Sequence, residues 1–234
     1  MIDVVFLDAG ETILRPHPSF AELFARVCSE RGSPVSAADV RVVQERLAPH
    51  LTDLAEATGV ENPSLSKAGS RKFWGYLYRR FLEELGLDLE LADLLYATFS
   101  HPASYKLFDD VLDALDELQA AGYRLGLISN FEQWLEEMLV ELEVGHLFEA
   151  VVISGVAGVE KPDSRIYEIA LERVGVAAEN AVHVGDSPSM DVEPARALGM
   201  HAVLLDRVGR YEGREFDAIR IASLKDLPQV ISKL

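Results

Sequence analysis

Five short apolar runs, at residues 4–7, 125–128, 151–153, 181–184 and 202–205, leave few folds open to this chain of 234 residues. Each is too short for a core helix, and apart from His183 each is apolar or glycine rather than alternating. That is the pattern of a strand covered on both faces in a parallel sheet. Amphipathic stripes lie between the later runs: Val111, Leu112, Leu115 and Leu118; Leu135, Met138, Leu139 and Leu142; Ile166, Ile169, Ala170 and Val174. Strand and helix in alternation imply an α/β fold, a Rossmann-like, doubly wound parallel sheet of five strands.

The alternation breaks once. Between Leu14 and Ser100 the pattern is helical throughout. Ser19 with Glu22, and Ser36 with Asp39, have the spacing of capping boxes. Trp74, Tyr78, Phe81 and Leu85 share one helical face and read as core rather than as a ligand box. Turn-forming segments flank the stretch, with His17 and Pro18 before it and His101 and Pro102 after it. The expected division is therefore a core of residues 1–14 and 101–234 with a helical cap of residues 15–100 inserted. A lobe rooted just beyond Asp8 would stand over the carboxyl edge of the sheet.

The formal net charge of −17 argues against nucleic acid and anionic membranes as partners. It leaves open a small phosphorylated metabolite, which local groups would hold. Cys28 is the only cysteine, so no intrachain disulfide forms and a reducing, cytoplasmic compartment is expected. Neither a secretory leader nor an apolar run of membrane-spanning length is present. Nothing in the sequence reads out an oligomeric state.

Four polar pieces follow the ends of successive predicted strands, where open α/β sheets bind ligands. They are Asp8, then Ser129 and Asn130, then Lys161 in Glu160-Lys161-Pro162-Asp163, then Asp186 and Asp191 in Gly185-Asp186-Ser187-Pro188-Ser189-Met190-Asp191. Each alone is a weak signal, and together in this order they are a strong one. His183 lies within a predicted buried strand and reads as a hydrogen-bonded core histidine.

With these four motifs and the helical insert after the first, the chain resembles the haloacid dehalogenase superfamily of hydrolases along its whole length. The resemblance implies that Asp8 is a nucleophile forming a covalent aspartyl intermediate. It further implies Mg²⁺ held by Asp8, Asp186 and the Gly10 carbonyl, with Asp191 a ligand directly or through water. Lys161 and Ser129, with the amide of Asn130, would hold the transferring phosphoryl group. Substrate selection would fall to the cap, where Arg71, Arg79 and Arg80 are candidates.

One position departs from the pattern. Phosphatases of this superfamily carry an aspartate two residues after the nucleophile, which protonates the leaving group and then activates water. This chain has Gly10 there, and general acid–base catalysis is worth about 10²–10⁴-fold. Glu11 is one candidate to replace it. A substrate with a good leaving group is a second solution, and a slow phospho-ligand-binding protein a third. A metal-independent 2-haloacid dehalogenase also lacks that aspartate, but it would not crowd Asp8, Asp186 and Asp191 together. Phosphonate hydrolysis would need a cap lysine, for which only Lys67 and Lys72 are available. The expectation is a Mg²⁺-dependent phosphatase acting on a small metabolite.

Overall fold

The computed structural model describes residues 1–234, all side chains included except those of Pro49, Leu51 and Thr52. Strands are β1 Val4–Leu7, β2 Leu14–Pro16, β3 Tyr105–Leu107, β4 Arg124–Ser129, β5 Ala150–Ile153, β6 Ala181–Gly185, β7 His201–Leu205 and β8 Ile219–Ile221. Helices are α1 Phe20–Glu30, α2 Ala37–Leu47, α3 Leu51–Thr58, α4 Lys67–Leu85, α5 Leu91–Phe99, α6 Val111–Ala120, α7 Leu135–Glu141, α8 Ser154–Ala157, α9 Ser164–Val174, α10 Glu193–Ala197 and α11 Leu227–Ile231. The chain divides into two compact units, Met1–Leu14 with Leu107–Leu234, and Arg15–Lys106.

The first unit is built on a six-stranded sheet of order β5-β4-β1-β6-β7-β8, with every described pairing parallel. The sequence shows five of these strands. The sixth, β8, has two of its three residues exposed and so carries no continuous apolar run. All four residues of β1 are buried, as a strand flanked on both edges and covered on both faces requires. The sheet leaves β1 in one direction through β4 to β5 and in the other through β6 to β8, which makes its carboxyl end the topological switch point. Val4, Phe6, Ile128, Val152, Ile166, Tyr167, Ala170 and Leu204 belong to one core cluster on this sheet. Along α6, Val111, Leu115 and Leu118 are buried while Leu112 is half exposed, so Leu112 lies off the stripe it was expected to join.

A buried polar hub ties the loop after β1 to the rest of this unit. Arg207 donates to both oxygens of Asp110, at 2.9 and 3.0 Å, and to the Thr12 carbonyl at 2.8 Å. Ser223 Oγ and the Leu224 N–H also donate to Asp110, at 2.6 and 2.9 Å. Burial works against ionisation of Asp110, but the hydrogen bonds from Arg207, Ser223 and Leu224 outweigh it and draw the carboxyl down to about 2.

The second unit is helical, and its core gathers Phe24, Cys28, Val40, Val43, Tyr78, Phe81, Leu82, Leu95 and Phe99. Phe20 stands 5.3 Å from Phe81 and 5.0 Å from Phe99, ring centre to ring centre, within the range of favourable aromatic pairs. Ser36 and Asp39 form a complete capping box, while Ser19 caps α1 by accepting from the Glu22 N–H at 3.2 Å. In α4, Tyr78 and Phe81 are buried, whereas Trp74, expected beside them, is 40 % exposed. The connecting strands β2 and β3 pair with each other, and His17 N–H donates to the Ser104 carbonyl at 2.8 Å. Among the described residues, no helix is long and apolar enough to cross a membrane.

Asp110→Ala leaves Arg207 largely buried without its carboxylate, so unfolding in denaturant should show a loss of about 3–5 kcal/mol. The Asp110 contribution in the wild type is present above the ordinary carboxylate pKa and is lost as pH falls toward about 2.

Candidate functional site

Strand register brings the sequence motifs to one edge. Leu7 lies beside Leu127 on β4 and Val184 on β6. The residues that follow, Asp8, Ser129 and Asp186, therefore emerge at the carboxyl ends of three adjacent strands. Asp8 N–H donates to the Val184 carbonyl at 2.8 Å, which extends the pairing one residue into the site.

Lys161 is the centre of the cluster. Its Nζ lies 2.6 Å from Asp8 Oδ1 and 2.5 Å from Asp191 Oδ1, with its side chain 3 % exposed. Ser129 Oγ donates to the same Asp8 oxygen at 3.2 Å. The Lys161 main chain is gripped on both sides by one side chain: Asn130 Nδ2 donates to its carbonyl at 2.8 Å, and its N–H donates to Asn130 Oδ1 at 2.7 Å. Asn130 thus positions the lysine loop through its side chain, a role its sequence context does not reveal.

Asp191 is fully engaged by the protein. Oδ1 meets Lys161 and, at 3.1 Å, His183 Nε2, while Oδ2 accepts the Ser187 N–H at 2.9 Å. His183 is completely buried, as its strand position implies, with the Tyr167 ring edge-on at 5.2 Å. Tyr167 in turn donates to the Met190 carbonyl. Asp191 reaches Lys161 by folding back over Gly185, where a Cβ would occupy the space of its carboxylate. Among the described residues, no three His, Cys, Asp or Glu side chains converge as a metal-holding group. Asp191 is paired with Lys161 in this arrangement.

The charges are unevenly balanced. Burial disfavours a charged Lys161, but Asp191 and then Asp8 outweigh it and hold the ammonium above the ordinary lysine pKa. Burial likewise opposes ionisation of Asp191, yet Lys161 and the His183 hydrogen bond keep its carboxyl below the ordinary value. Burial raises Asp8, and Lys161 opposes that rise. Asp186 is left uncompensated: burial, then the charges of Asp191 and Asp8, push it up to about 8. Its neighbouring cation, Arg210, is 3.8 Å away.

Gly10 and Glu11 form the turn after Asp8. A Cβ at Gly10 would meet nothing within 4 Å. Glu11 is exposed and holds a φ of +56°, a left-handed conformation that non-glycine residues rarely adopt. Its charge is among those that raise Asp186. In the helical unit, Arg71 pairs with Asp93 at 3.1 Å, and Arg80 pairs with Glu83 and Glu84.

A protein-family profile described as haloacid dehalogenase-like hydrolase matches residues 2–199. The chain belongs to that family. This haloacid dehalogenase-like hydrolase is 32 % identical over 213 residues to haloacid dehalogenase-like hydrolase domain-containing protein 3 of Danio rerio, covering 87 % of the chain and 84 % of that protein. It is 31 % identical to glyceraldehyde 3-phosphate phosphatase of Methanopyrus kandleri, over 92 % of the chain and 88 % of the relative. In fold it is similar to the HAD hydrolase YfnB of Bacillus subtilis, crystallised with magnesium, with a TM-score of 0.77, 18 % identity and 98 % of both chains covered.

Gly185→Ala sets a methyl group against the Asp191 carboxylate, and unfolding in denaturant should show a loss of about 1–3 kcal/mol. Gly10→Ala, with open space around the new Cβ, should change stability by less than about 1 kcal/mol.

Proposed function

We propose that this hydrolase is a Mg²⁺-dependent phosphatase acting on a small phosphorylated metabolite. The observation that carries the reading is the buried Ser129–Asp8–Lys161–Asp191 cluster with Asp186 unbalanced beside it. A phosphatase name on a relative matched over most of both chains supports the same reading. The substrate-binding roles rest with Ser129, Lys161 and the main-chain amide of Asn130.

The donor set suits Mg²⁺: the carboxylates of Asp8 and Asp186 with the Gly10 carbonyl are hard oxygens, and the ion keeps several waters where protein ligands are few. When bound, it supplies positive charge that lets an anionic nucleophile approach an anionic phosphoryl group. Asp191 contributes by holding Lys161. An excess of carboxylates around Asp8 is unfavourable without a cation, which weighs against metal-independent dehalogenation.

In this reading Asp8 attacks phosphorus, the bond to the leaving oxygen breaks, and an aspartyl-phosphate forms at Asp8. Lys161 screens the nucleophile from the incoming anion, and Ser129 orients the carboxylate. Water then attacks phosphorus and returns Asp8. Gly10 provides no proton for the departing oxygen, so esters of acidic alcohols are favoured over those of alkyl alcohols. Glu11 stands one position away and is the candidate to supply that proton. The single, buried Cys28 fits a reducing cytoplasmic setting.

Steady-state rates on aryl and alkyl phosphates with Mg²⁺ test the proposal. Asp8→Asn should abolish turnover. Gly10→Asp should raise kcat on alkyl phosphates by about 10²-fold or more, with a smaller gain on aryl phosphates. Unchanged rates in Glu11→Gln would exclude Glu11 as the proton donor. Hydrolysis that persists at full rate in chelator would overturn the metal requirement.

Proton release gives an independent readout. Without a cation, folded Asp186 keeps its proton up to about 8, whereas an unfolded chain loses it near 3.8. Its effect on stability is thus absent below the lower value and grows unfavourable as pH rises through the higher one. Mg²⁺ binding at pH 7 should release about one proton, and at pH 9.5 roughly none, as read by calorimetry in buffers of different ionisation enthalpy.

A further inference from the structure

His183 is a polar side chain in a place built for apolar ones. It shares β6 with Ala181, Val182, Val184 and Gly185, and every residue of that strand is buried. The strand is paired on both edges, with Phe6 of β1 and Ala202 of β7 beside His183. A ring buried in this way is unfavourable unless its polar atoms find partners. Nε2 has one: it lies 3.1 Å from Asp191 Oδ1. Among the described residues, Nδ1 is buried and meets no hydrogen-bond partner. The oxygen of an ionised carboxylate only accepts, so Nε2 carries the proton and donates it to Asp191.

Strand geometry explains why these two residues meet. Side chains alternate between faces along a strand, so positions 183 and 185 share one face of β6. Asp191 folds back over Gly185 on that face, which delivers its carboxylate to the His183 ring. Tyr167, from α9, packs edge-on against that ring at 5.2 Å, and its hydroxyl donates to the Met190 carbonyl, one residue before Asp191. One side chain therefore steadies both partners of the His183–Asp191 bond.

The consequence for the site follows from how Asp191 divides its acceptors. Oδ2 takes the Ser187 N–H at 2.9 Å, while Oδ1 takes Lys161 Nζ at 2.5 Å and His183 Nε2 together. On its other side the same ammonium binds Asp8 Oδ1 at 2.6 Å. A second donor on Asp191 Oδ1 spreads the charge of that oxygen over two partners and fixes the direction from which Lys161 approaches it. With that donor removed, Oδ1 has the ammonium alone, and Lys161 is drawn from Asp8 toward Asp191. Hydrogen-bonded groups linked in a row act on one another in this way without direct contact between the ends.

We propose that His183 is a positioning residue for the nucleophile: its Nε2–H shares Asp191 Oδ1 with Lys161 and so keeps the ammonium bridged to Asp8. The proposal rests on the phosphatase reading of the Asp8 site and gives that chemistry a residue buried beneath it, out of reach of substrate.

Two variants of the full chain separate the donor from the ring: His183→Leu fills the space without a donor, and His183→Gln places an amide N–H near the position of Nε2. On an aryl phosphate with Mg²⁺, His183→Leu should lower kcat about tenfold or more and move KM by less than about twofold, since no substrate contact is lost. His183→Gln should return kcat to within about threefold of wild type. A second readout needs neither substrate nor metal. In protein labelled with ¹⁵N-lysine, the buried Lys161 ammonium should give a solvent-protected correlation that shifts in His183→Leu and stays in place in His183→Gln. A wild-type kcat in His183→Leu would overturn the proposal, as would an unmoved ammonium signal. Equal losses in both variants would assign the effect to ring packing and reject the donor role. If wild type hydrolyses no phosphate ester, the phosphatase reading itself is wrong and the positioning role falls with it. Thermal unfolding checks each variant, with Tm expected to fall by no more than about 10 °C; His183→Met replaces His183→Leu if the latter does not fold.

Discussion

An ammonium ion taken out of water is tolerated only where carboxylates surround it, and Lys161 is held in that way. With its side chain 3 % exposed, it lies between Asp8 and Asp191 at hydrogen-bond distance from both. Removing either acid would leave a buried charge with half its compensation, a strongly unfavourable state. Much of the surrounding construction serves this arrangement. Asn130 clamps the lysine's main chain, Gly185 leaves room for Asp191 to fold back, and His183 and the Ser187 N–H hold that carboxylate in place. Four motifs spread over most of the chain are therefore one electrostatic unit.

The same unit gives neighbouring acids different protonation behaviour. Burial alone would favour a protonated Asp8, and the adjacent ammonium counters that tendency. Asp191, more strongly compensated, is held below the ordinary value, while burial and then the charges of Asp191 and Asp8 push Asp186 up to about 8 against the opposing charge of Arg210. Carboxylates of one residue type thus acquire different behaviour from different neighbours. Gly10 sits beside them without a side chain, in space that would accept one. Its absence of acid chemistry is consequently a choice of sequence and not of steric necessity.

Much of the fold is legible before any coordinates. Continuous apolar runs mark five of the six strands of the main sheet, because a strand covered on both faces has no polar side to show. The sixth escapes notice for the opposite reason: Ile219 and Arg220 are exposed at an edge. Single residues mislead where periodicity is locally ambiguous. Leu112 neighbours the α6 stripe in sequence yet faces out, and Trp74 begins the aromatic face of α4 where the core ends. The helical unit runs from Arg15 to Lys106, and β2 and β3 pair at its two ends.

For the candidate site, residue types and their order along the chain already identify Asp8, Ser129, Lys161 and Asp186 as the chemically capable positions, since each follows a strand that must end at the same sheet edge. Partnership is another matter. Which charged group Asp191 meets, whether the Asn130 side chain reaches the Lys161 backbone, and whether Arg210 reaches Asp186 are all decided by distances of 2.5 to 3.8 Å between residues remote in sequence. Hydrogen bonds and ion pairs act only over that range, and linear order cannot specify it. Only the tertiary structure brings those atoms within reach.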